Sequence, residues 1–229
     1  MSQSKERWKV YKNVFSEFSL RTLFKLSSEG HFEELKEPIM IGKEANVFTA
    51  ETKEGETVIV KIYRLENCNF NQMNKYISAD PRYLKMSKQK RSTVFSWVQR
   101  EYKNLMIARE VISVPTPITF KNNILIMSMV GAPAPMLKDA RPKEPEIFLK
   151  KILENMIKLK EQGLVHGDLS EFNILNENEE PIFIDFSQST LTRSSAAREL
   201  YERDLENIKR FFRKLLDEET IEKIWKSVQ

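Results

Sequence analysis

The chain is poor in the residues on which most metal and thiol chemistry relies. It holds one cysteine, Cys68, and two histidines, His31 and His166, among 229 residues. A single thiol excludes an internal disulfide framework and a Cys-cluster zinc site, and two imidazoles leave little for a His-based metal centre. Glycine is scarce at six residues, which excludes collagen-like and Gly-rich linker chains. No apolar run approaches the roughly 18–20 residues needed to span a bilayer. The opening stretch, MSQSKERWKV, lacks the apolar centre of a secretory signal. The expectation is a cytoplasmic protein with no membrane partner.

What is present describes a packed domain. Hydrophobic residues make up 41% and charged residues 31%, a balance that supports a core and argues against wholesale disorder. The net charge is +4 and the pI is near 9.0. This mildly basic balance permits a nucleic-acid or acidic partner without requiring one. No internal repeat is visible at periods of about 20–50 residues.

Periodicity sets the coarse organisation. Leu20, Leu23, Phe24 and Leu26 predict a short amphipathic helix ended by Gly30, and Phe32 with Leu35 predict a further helical turn before Pro38. From Ile39 the pattern becomes strand, turn, strand, and Thr57-Val58-Ile59-Val60-Lys61-Ile62-Tyr63 reads as a buried strand. Residues 64–91 are polar, with an Asp80-Pro81 break, and read as a long, partly helical, mobile insertion. Helices are expected over 94–109, 147–162, 204–212 and 218–228, and a strand before Gly131. The order is sheet-rich first and helix-rich second, with a waist near Gly131 and the Ala132-Pro133-Ala134-Pro135 linker.

The densest chemistry lies in L-V-H-G-D-L-S-E-F-N-I-L, which carries Asp168 and Asn173, and in P-I-F-I-D-F-S, which carries Asp185. Transfer of a γ-phosphoryl group needs a carboxylate beside the nucleophile, oxygen ligands for Mg²⁺ and cations on the phosphates. Asp168, Asn173 and Asp185 supply an acid–base or orienting carboxylate, an amide ligand and a carboxylate ligand. Either fragment alone is no more than a turn with capping side chains; in this order, each preceded by apolar β-like residues, they are specific. Upstream, Lys61 sits inside an apolar strand, where an unpaired ammonium is costly to bury. Glu101 on the following helix is its natural partner, with Glu110 a weaker competitor; the bland alternatives are a snorkelling lysine and a solvent-facing glutamate. Gly42-Lys43-Glu44-Ala45 stands where a phosphate-covering loop would, with one glycine in place of the usual three.

These pieces, I-G-K-E-A-N-V, V-K-I-Y, H-G-D-L-S-E-F-N-I-L and F-I-D-F-S-Q-S, together resemble the RIO family of atypical protein kinases. The Asp80-Pro81-Arg82-Tyr83 stretch and Ala132–Asp139 are most similar to its first, Rio1-type subgroup. The resemblance implies an α+β, two-lobed, protein-kinase-like fold: an N-terminal helical extension (1–38), an N-lobe with an antiparallel sheet (39–130) and a truncated helical C-lobe (131–229). It also implies roles. Lys61 contacts the α- and β-phosphates, steadied by Glu101. Gly42, Lys43, Glu44 and Ala45 cover the phosphates. Met127, with the backbone of Ser128 and Val130, borders the adenine. Asp168 is the catalytic carboxylate, Asn173 and Asp185 hold Mg²⁺ (or Mn²⁺), and Asp185 is also a candidate aspartyl-phosphate nucleophile.

The activity implied is that of an ATP-using, autophosphorylating serine kinase and ATPase with a part in small-ribosomal-subunit maturation. Its partners would be ATP and the pre-small-subunit particle. Ser87, Ser92, Ser194 and Ser195 are candidate autophosphorylation sites. H-G-D lacks the arginine of H-R-D, so control through a phosphorylated activation loop is not expected, and no A-P-E segment follows Asp185. Two other readings stand beside this one. One is a nucleotide-gated assembly factor with little protein kinase activity. The other is a different small kinase-like phosphotransferase, such as the kinase of the KEOPS complex.

Overall fold

A computed structural model describes residues 15–66, 68–83 and 89–229. The chain divides into two compact units, Met1–Tyr102 with Pro117–Met129, and Lys103–Thr116 with Val130–Gln229. The fold is α+β.

The first unit is built on a five-stranded antiparallel sheet of β1 (Glu34–Ile41), β2 (Ala45–Glu51), β3 (Thr57–Tyr63), β4 (Pro117–Lys121) and β5 (Ile124–Ser128), in the order β1-β2-β3-β5-β4. Helix α1 (Glu17–Ser28) covers one face. Ser16 caps it by accepting from the Ser19 N–H at 3.2 Å, and Gly30, at φ 87°, takes the left-handed turn that ends it. Leu23 and Leu26 of α1 pack against Phe48, Val60, Ile62 and Ile126. Strand alternation follows from this: the even positions of β3 enter that core, so Lys61 and Tyr63 project from the opposite face.

One expected element is replaced. Residues 34–38 open strand β1, not the helical turn that Phe32 and Leu35 had indicated, and the strand expected from Ile39 continues it. Two apolar residues three apart fit either period. The backbone decides, because Glu34 and Leu35 pair with Glu51 and Ala50 of β2, a ladder that a helical turn could not make.

The described part of the 64–91 insertion carries regular structure. Helix α2 (Phe70–Ser78), capped by Asn69, is followed by a 3₁₀ turn, Pro81–Tyr83. Met73, Ile77, Asp80 and Tyr83 are buried. The Thr93 hydroxyl on α3 (Lys90–Ala108) donates to the Asn74 side chain at 3.0 Å. The expectation that the insertion is partly helical matches this picture. Ser87 lies outside the described residues.

The second unit contains α4 (Pro145–Glu161), α5 (Ala197–Phe212) and α6 (Glu218–Val228), with two short paired strand segments and a hairpin carrying the polar loops. Leu149, Ile152, Leu153 and Met156 recur at helical spacing along the buried face of α4. Pro145 opens that helix and Gly163, at φ 88°, follows its end. The strands pair as β6 (Leu164–Val165) with β9 (Thr190–Leu191) and β7 (Ile174–Glu177) with β8 (Glu180–Phe183). Among the described residues no helix is long and apolar enough to cross a membrane.

The docking of α2 onto α3 gives a direct expectation. The Ala79, Asp80 and Tyr83 amides, bonded to Lys75, Ile77 and Asp80 carbonyls, exchange slowly with deuterium in the isolated protein. Exchange at exposed-loop rates at all three would contradict this packing.

Candidate active site

In the first unit, a buried cation and its partner meet on the face of β3 opposite the α1 core. Lys61 Nζ lies 2.7 Å from Glu101 Oε1, with the two side chains 10% and 1% exposed. The Tyr63 hydroxyl, two residues along the same strand face, donates to the other oxygen of Glu101. Both carboxylate oxygens are therefore engaged, as a buried charge requires. Glu110, the competitor, is exposed at the end of α3. The Gly42–Ala45 segment is a tight turn in which Gly42 N–H donates to the Ala45 carbonyl at 3.0 Å. A Cβ at Gly42 would stand 2.8 Å from that oxygen, so a side chain there forces the turn open. Lys43 is exposed and Glu44 half-buried; Met127 is buried at the end of β5, and Ser128 is half-buried.

In the second unit, Asp168 and Asn173 lie on one loop, tied by their own hydrogen bonds. Asn173 Nδ2 donates to the Asp168 carbonyl at 2.8 Å and approaches Asp168 Oδ2 at 3.5 Å. Gln188 Nε2 donates to the same Oδ2 at 2.9 Å. The β7–β8 hairpin brings Asp185 alongside, because Ile184 N–H donates to the Asn173 carbonyl at 3.0 Å. Asp185 has a left-handed backbone, φ 61°, and its carboxylate accepts from Ser187 N–H at 3.4 Å. His166 is fixed by two bonds: its Nε2 lies 2.9 Å from the Ile184 carbonyl and its Nδ1 3.3 Å from the Asp168 N–H. A carbonyl only accepts and an amide N–H only donates, so the ring is the neutral Nε2–H tautomer with both nitrogens occupied. That arrangement makes His166 a support and not a base. Val130, also in this unit, gives its carbonyl to Ala134 N–H at 2.8 Å.

Three residues that periodicity alone did not single out complete the loop. Asp204 on α5, almost fully buried, accepts from Gly167 N–H at 2.7 Å and from Leu169 N–H at 2.9 Å, one oxygen each. Burial pushes its carboxyl up to about 7, against the pull of those two N–H donors. Asn104 on α3 donates to the Phe186 and Ser189 carbonyls at 3.0 and 3.1 Å, bridging the turn after Asp185. Gln188 is the third. The signal for Asp204 was its helical register with the buried Leu200 and Ile208; an acidic residue on the apolar stripe of a helix needs a buried partner. Arg203 donates to the Gly167 carbonyl, while Arg198 pairs with Glu202 on the solvent side.

The donor set fits a hard divalent ion. With its amide nitrogen spent on Asp168, Asn173 keeps Oδ1 for a ligand, and Asp185 adds a half-exposed carboxylate. Mg²⁺ takes one or two such protein oxygens and fills its octahedron with water and phosphate. Among the described residues no three His, Cys, Asp or Glu side chains cluster to form an all-protein cage.

A sequence profile of the RIO domain matches residues 46–224. The chain belongs to the RIO kinase family. It is 43% identical over 214 residues to the RIO-type serine/threonine-protein kinase Rio1 of Methanocaldococcus jannaschii, covering 91% of this chain and 73% of that protein. To the Haloferax volcanii Rio1 kinase it is 36% identical over 213 residues, with the same coverage. The human serine/threonine-protein kinase RIO1 is 34% identical over 199 residues, which cover 83% of this chain and 35% of the human one. A solved structure of the Rio2 kinase from Chaetomium thermophilum, described as an ADP/Mg²⁺–phosphoaspartate complex, superposes with a TM-score of 0.67. It shares 24% identity and covers 91% of this chain and 66% of its own. The protein-kinase-like fold expected of a RIO protein is thus shown, and the Rio1-type subgroup with it.

The position of Asp204 has a measurable consequence. Between about pH 4 and 7 the folded RIO domain keeps the Asp204 proton that the unfolded chain releases. Its contribution to stability is therefore complete below about pH 4 and is lost as pH rises to about 7. In urea denaturation, wild type minus Asp204→Asn is expected to fall across that window by at most about 4 kcal/mol. A difference that stays flat from pH 4 to 8 would contradict the assignment.

Proposed function

We propose that this RIO protein is a Mg²⁺-dependent, ATP-using serine kinase that phosphorylates itself as well as other acceptors. The observation that carries the reading is the hydrogen-bonded grouping of Asp168, Asn173 and Asp185, with the amide oxygen of Asn173 left for a ligand. In this reading Lys61, held by Glu101, neutralises the α- and β-phosphates, and the Gly42–Ala45 turn covers them with Lys43 and Glu44 nearby. Met127, Ser128 and Val130 border the adenine, with the Val130 N–H as the ring contact, since its carbonyl already serves Ala134.

Asp168 orients the acceptor hydroxyl and takes its proton as the oxygen bonds to the γ-phosphorus and the bridging P–O bond to ADP breaks. Gln188 and Asn173 keep the Asp168 carboxylate on one rotamer for that task. Mg²⁺, held by Asn173 and Asp185, would offset the negative charge on the phosphoryl oxygens.

A second outcome at the same site is transfer to Asp185 itself. Hydrolysis of that acyl phosphate would make the protein an ATPase whose turnover times release from a bound particle. The half-exposed Asp185 carboxylate supports this reading, and so does the description of the fungal Rio2 neighbour as a phosphoaspartate complex. We place the protein in the cytoplasm, acting on precursors of the small ribosomal subunit. That placement is supported by the family resemblance and by the net charge of +4.

Tracing the γ-phosphate of radiolabelled ATP tests the reading. Wild type incorporates label; hydroxylamine releases an acyl phosphate on Asp185 and leaves phosphoserine in place. Asp168→Asn should lower turnover by about 10²–10⁴-fold without a comparable loss of thermal stability. Undiminished turnover in Asp168→Asn, or wild type that transfers no label, would overturn the proposal. Pre-small-subunit particles are expected to bind wild type with an affinity that falls as salt rises; failure to bind at low salt would remove the ribosomal part.

A further inference from the structure

The insertion places a buried anion against the helix that carries Glu101. Asp80 is 2% exposed and Arg100 is fully buried. Arg100 Nε donates to Asp80 Oδ2 at 3.1 Å. Arg82 clasps the same carboxylate from the other side: its Nε lies 2.9 Å from Oδ1 and 3.1 Å from Oδ2, its Nη2 lies 2.6 Å from Oδ2, and its backbone N–H lies 3.0 Å from Oδ1. The Arg100 guanidinium also lies over the rings of Tyr76 on α2 and Trp97 on α3, 5.5 Å from each centroid. Burial pushes the Asp80 carboxyl up, but hydrogen bonds from Arg82 and the two guanidinium charges outweigh it and hold the group below the usual carboxylate range. The cluster is thus a buried, charged clamp inside the first unit.

Its location gives it a consequence for the site. Arg100 immediately precedes Glu101 on α3, so fixing the guanidinium fixes the turn of helix from which Glu101 reaches Lys61. In kinases that are switched by phosphorylation, new arginine pairs to a phosphate set the corresponding helix. This chain has no arginine in its H-G-D sequence, while a carboxylate between two guanidiniums offers the same charge pattern without a modification step.

We propose that Asp80 is a positioning residue for Glu101: through Arg100 it holds α3 in the register at which Glu101 meets Lys61, making the insertion a built-in, constitutive clamp. The kinetic arm of the test rests on the proposed kinase reading; the labelling arm does not.

The experiment compares Asp80→Asn, Asp80→Glu and the double variant Asp80→Asn/Arg100→Met. The double variant removes the two fully buried charges and leaves only Arg82, whose side chain is 18% exposed and can turn its guanidinium to solvent, so it is expected to fold even where the single variant does not. Lys61 accessibility is read without nucleotide, by reductive methylation and mass spectrometry, against Glu101→Gln as the unpaired standard. Asp80→Asn and the double variant should label Lys61 faster than wild type, toward the Glu101→Gln rate, and lose up to roughly 10²-fold in kcat/KM for ATP. Asp80→Glu should stay near wild type in both. Melting temperatures that fall while Lys61 labelling and kcat/KM hold at wild-type values would show a merely structural clamp and overturn the inference. Wild type without ATP turnover would overturn the kinase reading, and the labelling result would still decide the role of Asp80.

Discussion

A charge inside a protein has to be answered, and the answer to Lys61 organises the first unit. An ammonium on the central strand of a sheet, 10% exposed, persists only beside a carboxylate with good geometry. That demand fixes which face of β3 is polar, which residue of α3 turns inward, and why Tyr63 lies where it can occupy the second oxygen of Glu101. The apolar face of the same strand is free to build the core with α1. One strand therefore builds the apolar core on one side and holds the Lys61–Glu101 pair on the other, by period-two alternation alone.

The second unit meets the same constraint in a different way. Asp204 has no cation as its main partner; it is satisfied by two backbone N–H groups on either side of Asp168. A buried carboxyl group used in this way converts a polar loop into a rigid support, because moving the loop would leave the Gly167 and Leu169 N–H groups and both carboxyl oxygens without hydrogen-bond partners. His166, Asn104 and Gln188 extend the support with neutral hydrogen bonds to backbone and carboxylate. The result is that the candidate reacting groups, Asp168, Asn173 and Asp185, project from backbone that is held at several points. Such preorganisation is what an electrostatic catalyst of phosphoryl transfer needs.

Much of this was legible before any coordinates. Lys61 within V-I-V-K-I-Y announced a buried cation, and the spacing of Asp168, Asn173 and Asp185 announced a phosphate-and-metal chemistry, because both are local patterns whose residue types have few other uses. The helices over 94–109 and 147–162 followed from apolar spacing and agree with α3 and α4 to within a few residues. What was not legible depends on partners distant in sequence. Residues 34–38 became strand because β2 offered a ladder. The described part of the insertion packs as it does because Arg100, whose burial no short window reveals, meets Asp80 from α3. Asn104 and Gln188 are ordinary polar residues until the turn after Asp185 is placed against them.

The central claim is that Asn173 and Asp185 share one divalent ion on a nucleoside triphosphate. A crystal grown with Mn²⁺ and a non-hydrolysable ATP analogue tests it most directly, by anomalous scattering. The account predicts a manganese peak about 2.1 Å from both Asn173 Oδ1 and an Asp185 carboxylate oxygen. Bound nucleotide with its manganese held away from these two side chains would contradict it.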